Sequence, residues 1–309
     1  MTLDPAYLDY AHRREGMDHD LYPWSNLFSR PPLAWPNGEK VLSWIVIDLE
    51  WFPITPDAKP FLAPGHMQTA YPDYRHYTSR DYGNRVGIYR LLDALDKAGA
   101  KASVAMNSAI ADRYPALVRD IVLAGHEIIA HATDMNATIA TGVAEADERE
   151  MIAASLAGLT RTTGAAPRGW LSIARSQSFN TPALLAEAGI AYCCDWVNDD
   201  LPYRMTTSNG PILNLPLNHE LSDRQILNVQ QQSMASYCEQ IRDAFDWLAR
   251  EAETSGGGRM LALNVTPYIT GLPYRMAEFE ALLMWLAGQP GHGFATGAQI
   301  AASADAQLG

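Results

Sequence analysis

Val41-Leu42-Ser43-Trp44-Ile45-Val46-Ile47-Asp48 is an unbroken apolar run that ends on an acid. Such a run predicts a strand buried on both faces, as in a parallel sheet, with a polar group at its C-terminal tip. Ahead of it, residues 1–38 are aromatic, proline-rich and mixed in charge, and end in Trp35-Pro36-Asn37-Gly38. They read as a lead-in that wraps the domain or meets a neighbouring subunit, leaving 39–309 as one domain. After it, a stretch rich in Pro, Tyr and His from Trp51 to about Tyr77 reads as a long loop, and loops of that length are usually functional. Its part Ala70–Tyr77 reads as a lid or a subunit contact.

Strands and helices then alternate. Val86, Ile88, Leu91, Leu92 and Leu95 fall at helical spacing, predicting a helix over 82–98 closed by Gly99. Further strands are expected at 102–106, 126–130, 169–173, 191–195, 212–217 and 260–264. Helices are expected at 115–124, 144–163, 181–188, 233–252, 274–287 and 296–303. About seven strand–helix units with no strand-only stretch indicate an α/β barrel or doubly wound sheet in a single domain.

Composition narrows the partners. The chain carries 23 Lys and Arg against 35 Asp and Glu, a net charge of -12. That field disfavours nucleic acid and anionic lipid and leaves a small-molecule ligand as the expected partner. No apolar run reaches membrane-helix length, and Met1–Pro5 lacks the basic start of a secretory signal, so a cytoplasmic location is expected. Cys193, Cys194 and Cys238 suit neither a disulfide framework nor a zinc cluster and read as buried, reduced thiols.

In parallel α/β folds ligands bind at the C-terminal ends of the strands. The polar residues there are Asp48 and Glu50, Asn107, His131 and Thr133, Trp170 and Ser172, Asn198, Asp199 and Asp200, His219 and Glu220, and Asn264 and Thr266. Acids, a histidine and amides converging on one rim suit a hydrolytic site. No phosphate loop, G-x-S-x-G elbow or H-E-x-x-H helix is present.

Gly125-His126-Glu127-Ile128-Ile129-Ala130-His131 resembles the G-H-E-(I/V)-x-x-H block of polysaccharide deacetylases of the NodB-homology type. Pro167-Arg168-Gly169-Trp170 resembles their arginine-bearing third motif. Asp195-Trp196-Val197-Asn198-Asp199-Asp200-Leu201-Pro202-Tyr203 and Tyr82-Gly83-Asn84-Arg85-Val86-Gly87 resemble the allantoinase-like and cyclic-imide-hydrolase branch. The resemblance spans about residues 36 to 300. It implies a distorted (β/α) barrel of about seven parallel strands and, by analogy, a homo-oligomer, dimer or tetramer.

Two positions depart from the family pattern. Metal-dependent members hold a divalent ion with two acids and an H-x-x-x-H pair. Here Asp48 takes the base position and Glu50 the metal-acid position, or Glu50 the base and Trp51 the ligand position. His131 is the first histidine, but Met135 stands for the second, and a thioether is a poor zinc ligand beside carboxylates. The late L-H-P-x-x-x-G block reads Val265-Thr266-Pro267-Tyr268-Ile269-Thr270-Gly271, with Thr266 where a histidine acid belongs, and a threonine hydroxyl does not titrate near neutrality.

A metal-independent hydrolase of a small cyclic amide (hydantoin, imide or ureide) is therefore expected. Asp48, Glu50 and His131 form the catalytic set, and Arg168, Trp170, Asn198, Asp199, Asp200, Glu220 and Thr266 the substrate pocket. Arg168 is alternatively a buried salt-bridge partner of Asp48, and Trp170 alternatively barrel packing. The rival readings are a Zn2+-dependent N-deacetylase of an amino sugar, with Asp48, Glu50 and His131 as ligands, and a degenerate barrel that binds a small ligand.

Overall fold

The computed structural model describes residues 19–55 and 72–308. Most of the stretch expected as a loop, including Ala70 and Tyr71, lies outside the described residues, as does the start of the lead-in.

The opening strand, β1 (Val41–Leu49), is buried along its whole length. It pairs in parallel with β2 (Ser103–Met106) on one side and with β8 (Arg259–Val265) on the other. The sheet continues from β2 through β3 (Glu127–Ala130), β4 (Gly169–Trp170) and β5 (Tyr192–Cys193) to β7 (Gly210–Asn214). It curls into a half-barrel, because each parallel strand twists relative to the last. Two strands depart from the expected alternation. β6 (Tyr203–Thr207) runs antiparallel to β7 in a hairpin, so the chain does contain a strand-only stretch. The short β9 (His292–Phe294) pairs with the start of β1.

Side-chain alternation along β1 sorts the core into two layers. Val41, Ile45, Ile47 and Leu49 pack with the helices, while Leu42, Trp44 and Val46 join Ala105, Ile129, Tyr192, Leu213 and Ala262 from neighbouring strands in the interior. Asp48 and Glu50 share the inward parity, which places their carboxyls at the mouth of the half-barrel. At the other end Glu127 accepts hydrogen bonds from Ser103 Oγ (2.6 Å), Tyr192 OH (2.7 Å) and the Ala298 amide (3.1 Å), and so anchors the helix Gly297–Asp305. His126 Nδ1 accepts from the Ala102 amide at that same end. Both residues serve the base of the barrel.

The lead-in described from residue 19 runs against this base. Trp35 Nε1 donates to the Arg259 carbonyl at 2.8 Å, and the Thr206 amide to Leu21 O at 2.7 Å. All three cysteines are free and buried. Among the described residues no helix is long and apolar enough to cross a membrane.

The first long helix starts earlier than the periodicity predicts. Tyr74–Tyr82 is already helical, capped by Asp73, and passes through a π-helical turn at Gly83–Gly87 into Ile88–Lys97. Its buried face is Ile88, Leu91, Ala94 and Leu95, whereas Val86 is exposed. The π turn brings Gly83 and Gly87 against the backbone of Pro267 and Tyr268. A β-carbon on Gly87 would stand 2.1 Å from the Pro267 carbonyl oxygen. Gly87→Ala is expected to push the 266–271 loop outward and to cost about 2–3 kcal/mol of stability, in line with other overpacking changes. Urea denaturation checks this, and an unchanged midpoint would show that the contact is slack.

Candidate active site

The acids at the tip of β1 meet a buried cation that sequence reading did not nominate. Arg224 opens a π-helical turn, Arg224–Val229, and is buried. Its Nη2 lies 2.7 Å from Glu50 Oε2 and 3.6 Å from Asp48 Oδ2. Its Nη1 donates to Tyr268 OH at 3.0 Å, and that hydroxyl lies 3.3 Å from Glu50 Oε2. Asp48 Oδ1 accepts from Asn264 Nδ2 at 2.8 Å. Asn107, at the end of β2, accepts from the Trp51 amide at 2.7 Å and donates to the His131 carbonyl. Asn84, in the π turn, donates to the Glu50 carbonyl at 3.1 Å. Amide side chains thus hold both polar groups of the Glu50–Trp51 peptide that follows the acids.

His131 follows β3 and is buried. Its Nδ1 sits 2.6 Å from the Leu171 carbonyl, which can only accept, so Nδ1 carries a proton. Its Nε2 is 3.8 Å from Glu50 Oε1 and has no hydrogen-bond partner among the described residues. It is a buried polar atom aimed into the acid cluster.

The electrostatics separate the two carboxylates. Burial pushes both upward. At Glu50 the nearby guanidinium and imidazole outweigh it and hold the carboxyl at about 2. At Asp48 burial wins over the more distant Arg224, helped by repulsion from Glu50, and the carboxyl stays above its usual range. Burial disfavours a charged His131, but Glu50 and Asp48 raise it above the ordinary imidazole value. Neighbouring groups pushed in opposite directions are the usual mark of divided acid and base roles.

Thr266 is buried beneath this cluster. Its amide and hydroxyl both donate to Asp223, at 2.6 and 3.1 Å, and Thr270 Oγ1 donates to the same carboxylate at 2.8 Å. Burial pushes Asp223 up to about 6 against those bonds. Thr266 therefore anchors the loop that carries Tyr268.

The remaining nominees fall elsewhere. Arg168 is exposed at the start of β4, beside Arg204 and Asp305, at the end of the strand away from the acids. The salt-bridge partner that the sequence sought for Asp48 is Arg224 instead. Trp170 packs with the helix layer, and its Nε1 donates to Ser172 Oγ at 2.9 Å. Asn198 pairs with Tyr22 and Tyr203, and Asp199 with Arg30 at 2.5 Å. Both line a cleft of about 740 Å3 with Trp24 and with Arg259 at the start of β8. Asp200 is exposed next to them, close to Glu251 and Arg259. Asn198 and Asp199 thus pair with the lead-in, and Asp200 lies beside them, on the stretch between β5 and β6. Glu220 is exposed on the loop after β7.

The donor set does not fit a divalent ion. Arg224 stands between the two acids where a cation would sit, and its charge would repel one. Met135 is buried in the apolar core, and among the described residues no group of three or more His, Cys, Asp or Glu is placed to hold a metal.

Residues 75–193 match the sequence model of the polysaccharide deacetylase family. A probable polysaccharide deacetylase from Pseudomonas aeruginosa PAO1 superposes with a TM-score of 0.81 at 25% identity, over 93% of this chain and 99% of that one. PuuE allantoinase superposes with a TM-score of 0.80 at 26% identity, over 93% and 98%. A putative polysaccharide deacetylase from Mycobacterium smegmatis, at 24% identity and a TM-score of 0.74 over 93% and 96%, shares the fold. Comparison with curated proteins returned no match. The NodB-like half-barrel and the G-H-E-I-I-A-H block are thus features that this chain shares with polysaccharide deacetylases, whose family model matches residues 75–193.

Proposed function

We propose that the protein hydrolyses a C–N bond in a small cyclic amide, opening the ring without a metal. The observation that carries this reading is Arg224, a fixed cation 2.7 Å from Glu50 and 3.6 Å from Asp48 in a buried site. The likeness to PuuE allantoinase over nearly the whole chain supports the same class of reaction.

Asp48 is the base. It carries the more basic of the two carboxyls and takes a proton from water as the oxygen attacks the ring carbonyl. Glu50 stays ionised and holds Arg224 in place. The guanidinium and Tyr268 OH donate toward the oxygen that gains charge, as preorganised donors do in oxyanion sites. His131, protonated on Nδ1 toward Leu171 and pushed toward its charged form, gives its Nε2 proton to the departing nitrogen. The C–N bond breaks, water supplies the new C–O bond, and the product acid returns a proton to the site. An imide or acylurea nitrogen leaves as a stabilised anion, so one imidazole in place of a metal and a second histidine is chemically sufficient.

Chelator-treated protein incubated with hydantoins, cyclic imides and N-acetylated sugars, and followed by mass spectrometry, tests the reading. The expected result is a ring substrate that gains one water and stays in one piece. Loss of acetyl, or turnover only after zinc is added, would overturn it.

A further inference from the structure

The turn that follows β4 contains two consecutive non-glycine residues in the left-handed region, Ala174 at φ 53° and Arg175 at φ 56°. Each costs of order 1 kcal/mol, and such strain persists where the surroundings over-determine it, often at ligand clamps. The surroundings here are specific. The Leu171 carbonyl, four residues earlier, accepts from His131 Nδ1. Ser172 donates through its amide and its hydroxyl to the buried Asp195, at 2.7 and 2.8 Å, and the Arg175 amide donates back to Ser172 O at 3.0 Å. The turn is therefore pinned beside the imidazole.

The strained geometry sends the Arg175 side chain inward. Nη2 donates to the Leu217 carbonyl at 3.1 Å, and Nη1 lies 3.4 Å from His219 Nδ1. Burial and the adjacent guanidinium keep His219 below its ordinary value, so Nδ1 is available as an acceptor. Two anchors thus fix the fork, while its third donor, Nε, is buried and has no partner among the described residues. A buried unpaired N–H is costly, and one held rigidly near Asp48 is costly to no structural end.

We infer that Arg175 is the specificity-determining clamp of this site, donating to a second, non-reacting carbonyl or carboxylate oxygen of the ring. The inference rests on the ring-opening reading above and deepens it: the substrate is a ring with two oxygens in a 1,3 relation across nitrogen. Arg224 and Tyr268 take the oxygen that becomes the oxyanion, and Arg175 takes the other. A lactam with a single carbonyl leaves Arg175 unpaired and is discriminated against, as sites with unmet buried donors reject analogues lacking the matching group.

The test is a cycle between ligand and residue, measured by calorimetric titration in an Asp48→Asn background so that ligand is not consumed. Succinimide carries both oxygens and 2-pyrrolidinone only one. In the parent, succinimide is expected to bind about tenfold tighter than 2-pyrrolidinone. With Arg175→Ala the gap closes because succinimide weakens, while 2-pyrrolidinone is nearly unchanged. Arg175→Lys keeps the charge without the fork and recovers only part of the gap. A purely structural role would weaken both ligands alike and keep the gap, and that outcome overturns the inference. A persisting gap alongside ring opening by the native protein leaves the function standing and removes Arg175 from it. Failure of the native protein to bind or open any two-carbonyl ring sinks both together.

Discussion

Asp48→Asn is expected to lower kcat by about 10^2- to 10^4-fold, the range that a positioned general base supplies, with little change in ring-substrate affinity. The asparagine keeps the shape and can still meet Asn264 Nδ2 with its carbonyl oxygen, so the pocket survives. What it loses is the carboxyl that burial leaves the more basic of the two at the tip of β1. The native pH profile carries the same signature. kcat/KM should climb as pH rises through the Asp48 pKa, which lies above the ordinary aspartate range, and fall again as His131 loses its proton. Glu50→Gln, by contrast, should act through Arg224 and raise KM as well as lowering kcat. Steady-state kinetics on the two variants separates the roles, and a D48N protein that retains native turnover would remove Asp48 from the mechanism.

Arg224→Met is expected to cost about 3–5 kcal/mol of stability at pH 7, the usual result of removing one partner from a buried ion pair. It should also cost about 10^2- to 10^3-fold in kcat through the lost oxyanion donor. The pH dependence gives the sign. Glu50 falls from 4.5 to about 2 on folding, and a depressed acid contributes stability above its unfolded pKa that is lost as pH drops through its folded one. That contribution is on the order of 3 kcal/mol from the size of the shift. Asp48, raised by burial, works in the opposite direction and offsets part of it as pH rises above the ordinary aspartate value. Without Arg224 the Glu50 contribution vanishes, so the variant's deficit should be largest at neutral pH and shrink toward pH 3. Urea titrations at pH 7 and pH 3 measure it. A deficit equal at both pH values would mean that Arg224 acts by packing, not charge.

The fold could be read from the chain because strands buried on both faces leave long apolar runs, and β1 leaves the longest. Asp48, Glu50 and His131 were readable for the same reason: each directly follows such a run, and the structure brings all three to one rim. Arg224 was not readable, since 218–232 has no periodicity and its π-helical turn has no sequence signature. The physical demand was present all the same. Two acids at the end of one buried strand require a cation, and sequence reading supplied the wrong one, Arg168, which sits at the far end of its strand. Tyr268 lies in the late block two residues past the position of the expected histidine, and nothing in its spacing separates a site hydroxyl from a loop-packing ring. Asn198, Asp199 and Asp200 read as rim residues because a polar triplet follows a strand, and they do lie between β5 and the rim-level pairing of Tyr203 with Asn214, but the lead-in residues Tyr22 and Arg30 take up Asn198 and Asp199.

The pairing of β1 has a consequence for how the chain is made. Its first seven residues find their partner in Arg259–Val265, more than two hundred positions later. During synthesis β1 therefore leaves the ribosome with one of its two long edges bare, and that edge stays bare until nearly the whole chain has emerged. Asp48 and Glu50 lie at the end of the same strand, and Arg224, which neutralises them, and Asn264, which holds Asp48, also arrive late. An unmatched pair of acids at the tip of an open apolar strand opposes premature burial and pairing with another nascent chain. The carboxylates that serve the finished site thus also guard the strand that carries them until its last neighbour is ready.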